Sequence, residues 1–239
     1  MENRAFLPKL AVMPLFKGFS EADLDEVARQ ARQRSVDAGE FVFMQDDPAD
    51  TLYILREGRM KLTQIGPDGQ QILLQMIGAW TLFAVVAIIE EASYPITAQA
   101  AEPSQLIYWP KSTLTDMVQR FPRLSINAMQ LMAARVREYQ DRFRELATER
   151  VERRLARALI RLASQTGKKT EEGVLIDMPL TRQDLAEMTG TTLYTASRIL
   201  SQWETQGLVK SGRERVVIVF PHGLVRIADD LPSQGGEEP

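Results

Sequence analysis

Apolar residues in the first 120 positions of the chain occur in short runs that are separated by turn-forming residues such as Gly, Pro, Asp and Ser. Runs at a spacing of roughly 8 to 12 residues are typical of a β-sandwich or barrel. The pattern predicts strands over Glu40–Met44, Leu52–Leu55, Arg59–Gln64, Gln71–Ile77, Ile96–Ala100 and Gln105–Trp109. A short helix is predicted to begin at Ser20-Glu-Ala-Asp23, with Leu24 and Val27 on one side.

A helical period replaces this pattern after Pro122, a residue that suits the first turn of a helix. Apolar residues then recur at intervals of three and four, which is the seam of a coiled coil, at Met129, Met132, Val136, Tyr139, Phe143 and Leu146. The other positions are mostly charged, so the seam needs a partner helix, and we predict a homodimer interface. A second apolar set is predicted to pack against the N-terminal sandwich: Leu124, Ala128, Leu131 and Ala134 or Arg135.

The segment 181–203 has the pattern of two short helices joined by a tight turn. Thr181 and Asp184 are spaced as a capping box, Gly190 suits a turn with positive φ, and Thr191 or Thr192 caps the second helix. The second helix has an apolar side at Ala196, Ile199, Leu200 and Trp203. Its other side is free to meet a partner with Leu193, Tyr194, Ser197 and Arg198. A helix-turn-helix would place this side in a DNA major groove, although a plain helical hairpin would show the same turn and caps.

Two strands around a Ser211-Gly212 turn are predicted next, and a hairpin at this place forms a wing. The wing would bring Lys210, Arg213 and Arg215 near DNA phosphates. Upstream, the pattern predicts a helix over Val151–Ser164, a loop over Thr166–Gly173 and a strand over Gly173–Met178. Five arginines near that helix are interpreted mostly as a solvated face, with phosphate contacts as the alternative: Arg150, Arg153, Arg154, Arg157 and Arg161.

These motifs resemble the CRP/FNR family of regulators, named after the cyclic-AMP receptor protein and the fumarate-nitrate regulator. The resemblance lies in Thr181-Arg-Gln-Asp-Leu185, Ser197-Arg-Ile-Leu200 and Gly207-Leu-Val-Lys-Ser-Gly-Arg213, and it extends from about residue 10 to 228. In the N-terminal half, Tyr53–Lys61 with Gly39-Glu40 resembles the β-roll of cyclic-nucleotide-binding domains, for which a generic jelly roll is the alternative.

The resemblance implies an α+β fold with three parts and a tail. They are an N-terminal double-stranded β-roll over 1–120 that acts as sensor domain, a dimerisation helix over 121–148, a C-terminal winged helix-turn-helix over 149–230 and a disordered polar tail over 231–239. It also implies a sequence-specific, homodimeric transcription regulator in the cytoplasm, with RNA polymerase as a further partner if the regulator is an activator.

Composition and charge agree with this assignment. The net charge of the chain is −3, but residues 151–226 hold twelve Lys and Arg against eight Asp and Glu, whereas the first 150 residues hold seventeen against twenty. A basic C-terminal module behind an acidic N-terminal one suits a sensor attached to a DNA reader. The chain has no Cys, which excludes a Cys-ligated iron–sulfur cluster and a thiol switch. No apolar run reaches the length of a membrane span, and we expect neither a secretory signal nor an enzyme.

The position of the cyclic-nucleotide site in the family has unusual chemistry here. Cyclic-AMP receptors use a Glu for the ribose and an Arg-Ser pair for the phosphate, whereas Gly78–Ile89 of this chain is uncharged and Tyr94-Pro95 stands where the pair would fall. A buried phosphate would have no cation, so cyclic-nucleotide binding is not expected. The Tyr-Pro pair resembles the FNR and nitrogen-oxide-responsive branches. The helix positions that touch nucleotide in cyclic-AMP receptors fall on Tyr139 and Gln140.

Three interpretations of the sensor remain at this stage. In the first, the apolar residues around Gly78–Ile89 fill the roll. In the second, they line a pocket for an apolar ligand or haem. In the third, which is the alternative function, the roll binds a cyclic nucleotide. The candidate pocket residues are Trp80, Phe83, Tyr94, Tyr139 and Gln140. The chain has one His, His222, which lies past the wing and is predicted to be a surface residue, so His-ligated haem in the roll is excluded within one chain. No metal site is predicted.

The DNA contacts are assigned residue by residue on the same resemblance. Thr181 and Arg182 are expected at phosphates, Arg198 at guanine through its planar fork, and Ser197 as an adaptable polar reader beside it. Thr192, Leu193, Tyr194 and Arg213 complete the predicted surface. Tyr194 stands where many family members have a Glu, so we expect a different half-site, with Tyr194 on a thymine methyl group or at a phosphate. A constitutive DNA-binding protein without effector is the remaining alternative.

Overall fold

The computed structural model describes residues 6–67, 69 and 71–230 and consists of two compact units, Met1–Gln140 and Asp141–Pro239. The division falls within the long helix, whereas the predicted domain boundaries at 120 and 148 stay predictions. The predicted disordered tail, 231–239, lies outside the described residues.

The N-terminal unit opens with helices that close one side of its core. They are α1 (Leu7–Ala11), a 3-10 turn at Pro14–Phe16 and α2 (Glu21–Gln30). The predicted start of α2 is confirmed, and the structure adds a capping box: Asp23 N donates to Ser20 Oγ at 3.2 Å, and Ser20 N donates to Asp23 Oδ2 at 2.9 Å. Trp109 is fully buried, and its indole N–H donates to Val27 O of α2 at 2.9 Å.

Two antiparallel four-stranded sheets form the sandwich. Their strands are β1 (Arg32–Val36), β2 (Phe41–Phe43), β3 (Thr51–Glu57), β4 (Met60–Ile65), β5 (Gln71–Ile77), β6 (Thr81–Phe83), β7 (Thr97–Ala100) and β8 (Ser104–Pro110). The strand orders are β1-β8-β3-β6 and β2-β7-β4-β5. The core lies between the sheets, where β3 contributes Leu52, Ile54 and Leu55 as fully buried residues.

All six predicted strands of this half are confirmed within a few residues, but β1 and β6 were not predicted. The sequence of β1, Arg-Gln-Arg-Ser-Val, buries only Val36, so it has no apolar run, and its backbone pairing with β8 defines it. Strand β6 lies in the uncharged run 78–89, where no alternation separates a strand from the 3-10 turn Val85–Ile88 that follows.

Helix α3 (Lys111–Arg120) and the part of α4 (Pro122–Thr148) before the division complete the unit. Helix α4 begins at Pro122 as predicted, and its second apolar set packs on the sandwich core through Leu124, Ala128 and Leu131. Ala134 is exposed, and Arg135 instead donates a hydrogen bond to Gln75 Oε1 of β5 at 2.9 Å. The buried Asn127 amide donates to Leu15 O and Lys17 O at 2.8 and 3.0 Å, which fixes α4 to the N-terminal turn.

In the described residues up to 230, the C-terminal unit combines the end of α4 and four further helices with one small sheet. Its elements are α5 (Val151–Thr166), β9 (Gly167–Thr170), β10 (Gly173–Ile176), α6 (Arg182–Met188), α7 (Leu193–Thr205), β11 (Val209–Gly212), β12 (Arg215–Ile218) and α8 (Pro221–Asp229). The sheet is antiparallel in the order β11-β12-β10-β9. Leu155, Leu159 and Leu162 of α5 are buried, as is Trp203 of α7.

Two predictions for this unit were wrong. The predicted loop 166–173 contains strand β9, which pairs with β10 as a hairpin. All four residues of β9, Gly-Lys-Lys-Thr, are exposed, so this edge strand has no apolar pattern. The wing turn lies at Arg213-Glu214 and not at Ser211-Gly212, because Gly212 pairs with Arg215 and Glu214 adopts the positive φ of 55°.

Candidate DNA-binding surface and sensor core

The helix-turn-helix is built by two capped helices. Thr181 caps α6, since its hydroxyl accepts from Asp184 N at 3.0 Å while Asp184 Oδ2 accepts from Thr181 N at 2.8 Å. Gly190 takes φ of +60° in the turn, and Thr192 caps α7 by accepting from Thr195 N at 3.2 Å. Ala196, Ile199, Leu200 and Trp203 are buried, which fixes the rotation of α7. The predicted helix-turn-helix is therefore confirmed as a fold, with Thr192 as the cap.

The first two turns of α7 present an outward face. The side chain of Leu193 is 48% exposed and that of Tyr194 is 78% exposed, whereas Ser197 is half-buried. Arg198 is exposed one turn further on, and within 71–230 we find no hydrogen bond or ion pair from its guanidinium. The four side chains on this face thus combine an apolar end with a free cation.

Arg182 connects α6 to the wing. Its Nη2 donates to Ser211 Oγ at 3.0 Å and lies 3.6 Å from Glu204 Oε2, while Ser211 N and Oγ donate to Glu204 Oε1 at 2.7 and 2.6 Å. The three side chains hold the base of the wing against the C-terminal half of α7. Arg182 is 38% exposed in its side chain, so it remains accessible from solvent.

The basic residues of the wing divide into two kinds. Lys210 and Arg215 both pair with Glu172, at 3.0 and 3.5 Å, and the hydrogen bond from Lys210 lowers the pKa of the Glu172 carboxyl. Arg213 is exposed in the turn, and its guanidinium makes no ion pair with the described residues 206–220. Exposed ion pairs of this kind contribute little to stability because solvent screens them, so a phosphate can compete for Lys210 and Arg215.

The arginines of α5 are engaged within the unit and are not a purely solvated face. Arg161 donates two bonds to Glu145 at 3.0 and 3.1 Å, and Arg157 donates to Glu149 at 3.2 Å. Arg154 donates to Thr189 O at 2.9 Å, to Glu149 O at 2.9 Å and to the carbonyls of Leu146 and Gly190 at 3.3 and 3.4 Å. These bonds join the end of α4 to α5 and to the turn before α7.

An aromatic cluster occupies the interior of the β-roll. The ring of Tyr94 stacks on Phe43 with centroids 3.8 Å apart, and Phe43 contacts Tyr53 and Phe83 at 5.9 and 6.1 Å. Tyr94 is buried, its hydroxyl donates to Thr51 O at 2.8 Å and accepts from Thr51 N at 3.0 Å, and burial raises the pKa of its phenol. Phe83 and Tyr94 are therefore part of one packed core.

The other candidate pocket residues lie elsewhere. Trp80 is half-buried with φ of 62°, and the ammonium of Lys9 lies 5.7 Å from the centroid of its ring. Lys111 Nζ donates to the carbonyls of Ala87 and Ile89 at the end of the 3-10 turn. Tyr139 and Gln140 are exposed on α4. The structure thus places Phe83 and Tyr94 together, and it does not bury Tyr139 or Gln140 with them.

Replacement of Tyr94 by Phe is expected to destabilise the N-terminal unit by about 1–3 kcal/mol, because Thr51 N and O would lose their partner in a buried site. Denaturant unfolding followed by near-ultraviolet circular dichroism measures this loss. Tyr108→Phe is the matched control, since it removes a hydroxyl from a half-buried neighbour of the same cluster. Equal stability of both variants would contradict a structural role for the Tyr94 hydroxyl.

The predicted seam of α4 is largely uncovered. Met129, Val136, Tyr139, Phe143 and Leu146 are all exposed, and Phe143 reaches 72% exposure, whereas Met132 is half-buried. Arg142 lies among them with its Nε shielded from solvent. Exposed side chains at five of the six seam positions therefore form an apolar stripe that the single chain does not bury.

The single histidine, His222, lies exposed in the first turn of α8, with its ring 6.3 Å from that of Phe220. Within the described residues, no group of three or more His, Cys, Asp and Glu side chains is placed to hold a metal ion. None of the described helices has the length and apolar character to cross a membrane.

Comparisons with known proteins match both units. A cyclic nucleotide-binding domain model matches residues 33–121, and a Crp-like helix-turn-helix model matches residues 153–227. The CRP-like cAMP-activated global transcriptional regulator of Mycobacterium tuberculosis is 23% identical over 219 residues, which cover 92% of this chain and 98% of that protein. The transcriptional activator protein anr of Pseudomonas aeruginosa is 25% identical over 219 residues, which cover 90% of this chain and 88% of that protein.

Solved structures show the same fold. FixK2 from Bradyrhizobium japonicum superposes with a TM-score of 0.70 at 21% identity, covering 82% of this chain and 96% of that one. The architecture and the two matched domains define a DNA-binding transcription regulator with a winged helix-turn-helix, which is a class of regulators and not of enzymes. The chain belongs to the CRP/FNR family, and its relatives include members of both the CRP and the FNR/Anr branches at low identity.

Proposed function

We propose that the chain acts in the cytoplasm as a homodimeric regulator that reads a two-fold symmetric DNA site through α7. The observation that carries this proposal is the outward face of α7, where the guanidinium of Arg198 is exposed, has no partner among residues 71–230, and stands beside three uncharged side chains. In a helix-turn-helix, the N-terminal turns of the second helix contact base edges in the major groove. A guanidinium there donates two parallel bonds to guanine.

The remaining DNA contacts in this proposal fix the register. Thr181 and Arg182 at the start of α6 lie where the first helix crosses the backbone, and Arg213 extends from the wing turn. Thr192 and Ser197 supply hydroxyl groups around Arg198. When DNA binds, Arg182 gives up its hydrogen bond to Ser211 and its ion pair with Glu204 and contacts a phosphate. This exchange is possible because all three side chains reach solvent.

The exposed stripe on α4 supports the dimer. A heptad seam with one narrow apolar face is stable when a second helix covers it, and a copy of the same helix presents the same seam across a two-fold axis. Such a dimer places two α7 helices about one DNA turn, roughly 34–36 Å, apart. RNA polymerase is a further partner if the regulator activates transcription.

The β-roll in this proposal responds to an effector other than a cyclic nucleotide. The stretch Trp80–Ile89 contains no charged side chain, and the ammonium of Lys111 is committed to two carbonyls at the end of that segment. Tyr94 is buried in the interior, and its hydroxyl is bonded to both Thr51 N and Thr51 O. Its oxygen is therefore not available as an axial ligand for haem. A small apolar ligand beside the half-buried Trp80 and the uncharged stretch that follows it fits these residues better than haem.

Titration with cyclic nucleotides tests the effector proposal. We expect no saturable binding of cyclic AMP or cyclic GMP up to about millimolar concentration by calorimetry, because a buried phosphate without a cation is costly. The match of residues 33–121 to the cyclic nucleotide-binding model makes cyclic-nucleotide control the second candidate. Micromolar binding that also tightens DNA binding would establish this second candidate and contradict the first.

A further inference from the structure

The outward face of α7 has two chemically different ends. Leu193 and Tyr194 occupy the first turn, and Arg198 follows one turn later. Tyr194 and Arg198 are four residues apart, a rise of about 6 Å along the helix axis, which is close to two base-pair steps of 3.4 Å. The apolar end and the cation therefore face base pairs about two steps apart when α7 lies along a major groove.

The apolar end is exposed without a packing reason inside its own unit. The buried side of α7 is closed by Ala196, Ile199, Leu200 and Trp203, while Tyr194 keeps 78% of its surface in solvent. The phenol of Tyr194 makes no hydrogen bond to any residue from 71 to 230. Two large side chains thus lie free at the end of the helix that meets the bases.

The first turn of α7 has no acidic residue, and the first carboxylate of the helix is Glu204, near its other end. Glu204 is already bonded to Ser211. A carboxylate that would accept from the cytosine amino group is therefore missing from the reading end. The apolar feature that the major groove offers is the C5-methyl group of thymine, which the other three bases lack.

We propose that Leu193 and Tyr194 read thymine methyl groups, so that each half-site carries a thymine within about two base pairs of the guanine bound by Arg198. This inference rests on the proposed DNA-reading function of α7. The alternative for Tyr194, a hydroxyl bond to phosphate, needs the phenol oxygen, whereas methyl recognition needs the ring and the Leu193 side chain.

Deoxyuridine substitution tests the inference, because it removes only the C5-methyl group from thymine. A binding site is first selected from random-sequence duplexes with the full-length protein, and each thymine of its half-site is then replaced by deoxyuridine in both halves. Burial of one methyl group changes a binding constant about fourfold, so replacing one thymine in each half is expected to weaken binding about fifteenfold. Fluorescence anisotropy measures both affinities.

Variants assign the effect to the two side chains. Tyr194→Ala with Leu193→Ala is expected to bind the thymine and deoxyuridine duplexes with equal affinity. Tyr194→Phe keeps the ring and is expected to keep the difference between the two duplexes, whatever its absolute affinity. Val225→Ala, which shortens an exposed apolar side chain on α8, is the control that should bind both duplexes as the unchanged protein does.

The outcomes separate the inference from the function on which it rests. Failure of the protein to select any sequence would overturn the DNA-reading proposal itself. Selection of a specific site that lacks thymine within about two base pairs of its guanine, or that tolerates deoxyuridine at every position, would overturn methyl recognition alone. A difference between duplexes that disappears in Tyr194→Phe would assign the tyrosine to its hydroxyl and would also overturn the inference.

Discussion

Arg198→Ala is expected to lower the affinity for the specific DNA site by at least about 30-fold while the protein remains folded and dimeric. The guanidinium is exposed on α7 and has no partner among residues 71–230, so its removal leaves no buried group unpaired. One bidentate contact with guanine is worth about 1–3 kcal/mol. A symmetric site has two such contacts, so the loss is about 2–6 kcal/mol, or roughly 30-fold to more than 10⁴-fold in affinity.

Competition anisotropy with a selected duplex and a scrambled duplex measures this loss as a specificity ratio. Lys169→Ala is the matched control, because it removes one positive charge from the exposed strand β9 of the same unit. The control should lower affinity for both duplexes by the same small factor. Retention of the specificity ratio in Arg198→Ala would show that other side chains carry base recognition.

The salt dependence of binding separates Arg198 from the phosphate contacts. Each phosphate neutralised contributes about −0.9 to the slope of log affinity against log salt. A base contact by Arg198 should therefore leave the slope almost unchanged, whereas a phosphate contact would reduce it by about one unit per subunit. The same measurement on Arg182→Ala should show that reduction with little change in specificity.

Local sequence signals were sufficient for the helices that carry the DNA-binding surface. The capping boxes at Ser20–Asp23 and Thr181–Asp184 both form, because a hydroxyl and a carboxylate three residues apart satisfy each other's backbone donors. The seam of α4 could also be predicted, because its period of three and four residues depends only on the local sequence. Its exposed residues in the single chain agree with that interpretation.

Other features depend on partners that are distant in sequence. Strand β9 is polar throughout and exists because its backbone pairs with β10, and β1 likewise depends on β8. The four carbonyl partners of Arg154 come from two segments, 146–149 and 189–190, and the position of an arginine on a helix face does not predict them. The structural role of the Tyr94 hydroxyl could not be predicted either, because its hydrogen-bond partner, Thr51, lies 43 residues earlier in the sequence.

Val136→Glu is expected to convert the dimer to a monomer and to lower affinity for the full symmetric site by at least about 100-fold. Val136 lies exposed in the middle of the α4 seam, so the single chain tolerates a charge there. In a dimer the carboxylate would face its copy in an apolar interface, and burying two like charges without partners costs several kcal/mol. Linking two binding modules raises overall affinity by about 10²–10⁴, and a monomer loses this gain.

Gln130→Glu is the matched control, because it introduces the same charge on an exposed position of α4 outside the seam. Sedimentation equilibrium should find this control dimeric and Val136→Glu monomeric, with unchanged circular dichroism in both. The monomer should still bind an isolated half-site as well as the unchanged protein does, since α7 and the wing lie in the other compact unit. A dimer that survives Val136→Glu would place the interface on a different surface, and the exposed side chain of Phe143 would then need another partner.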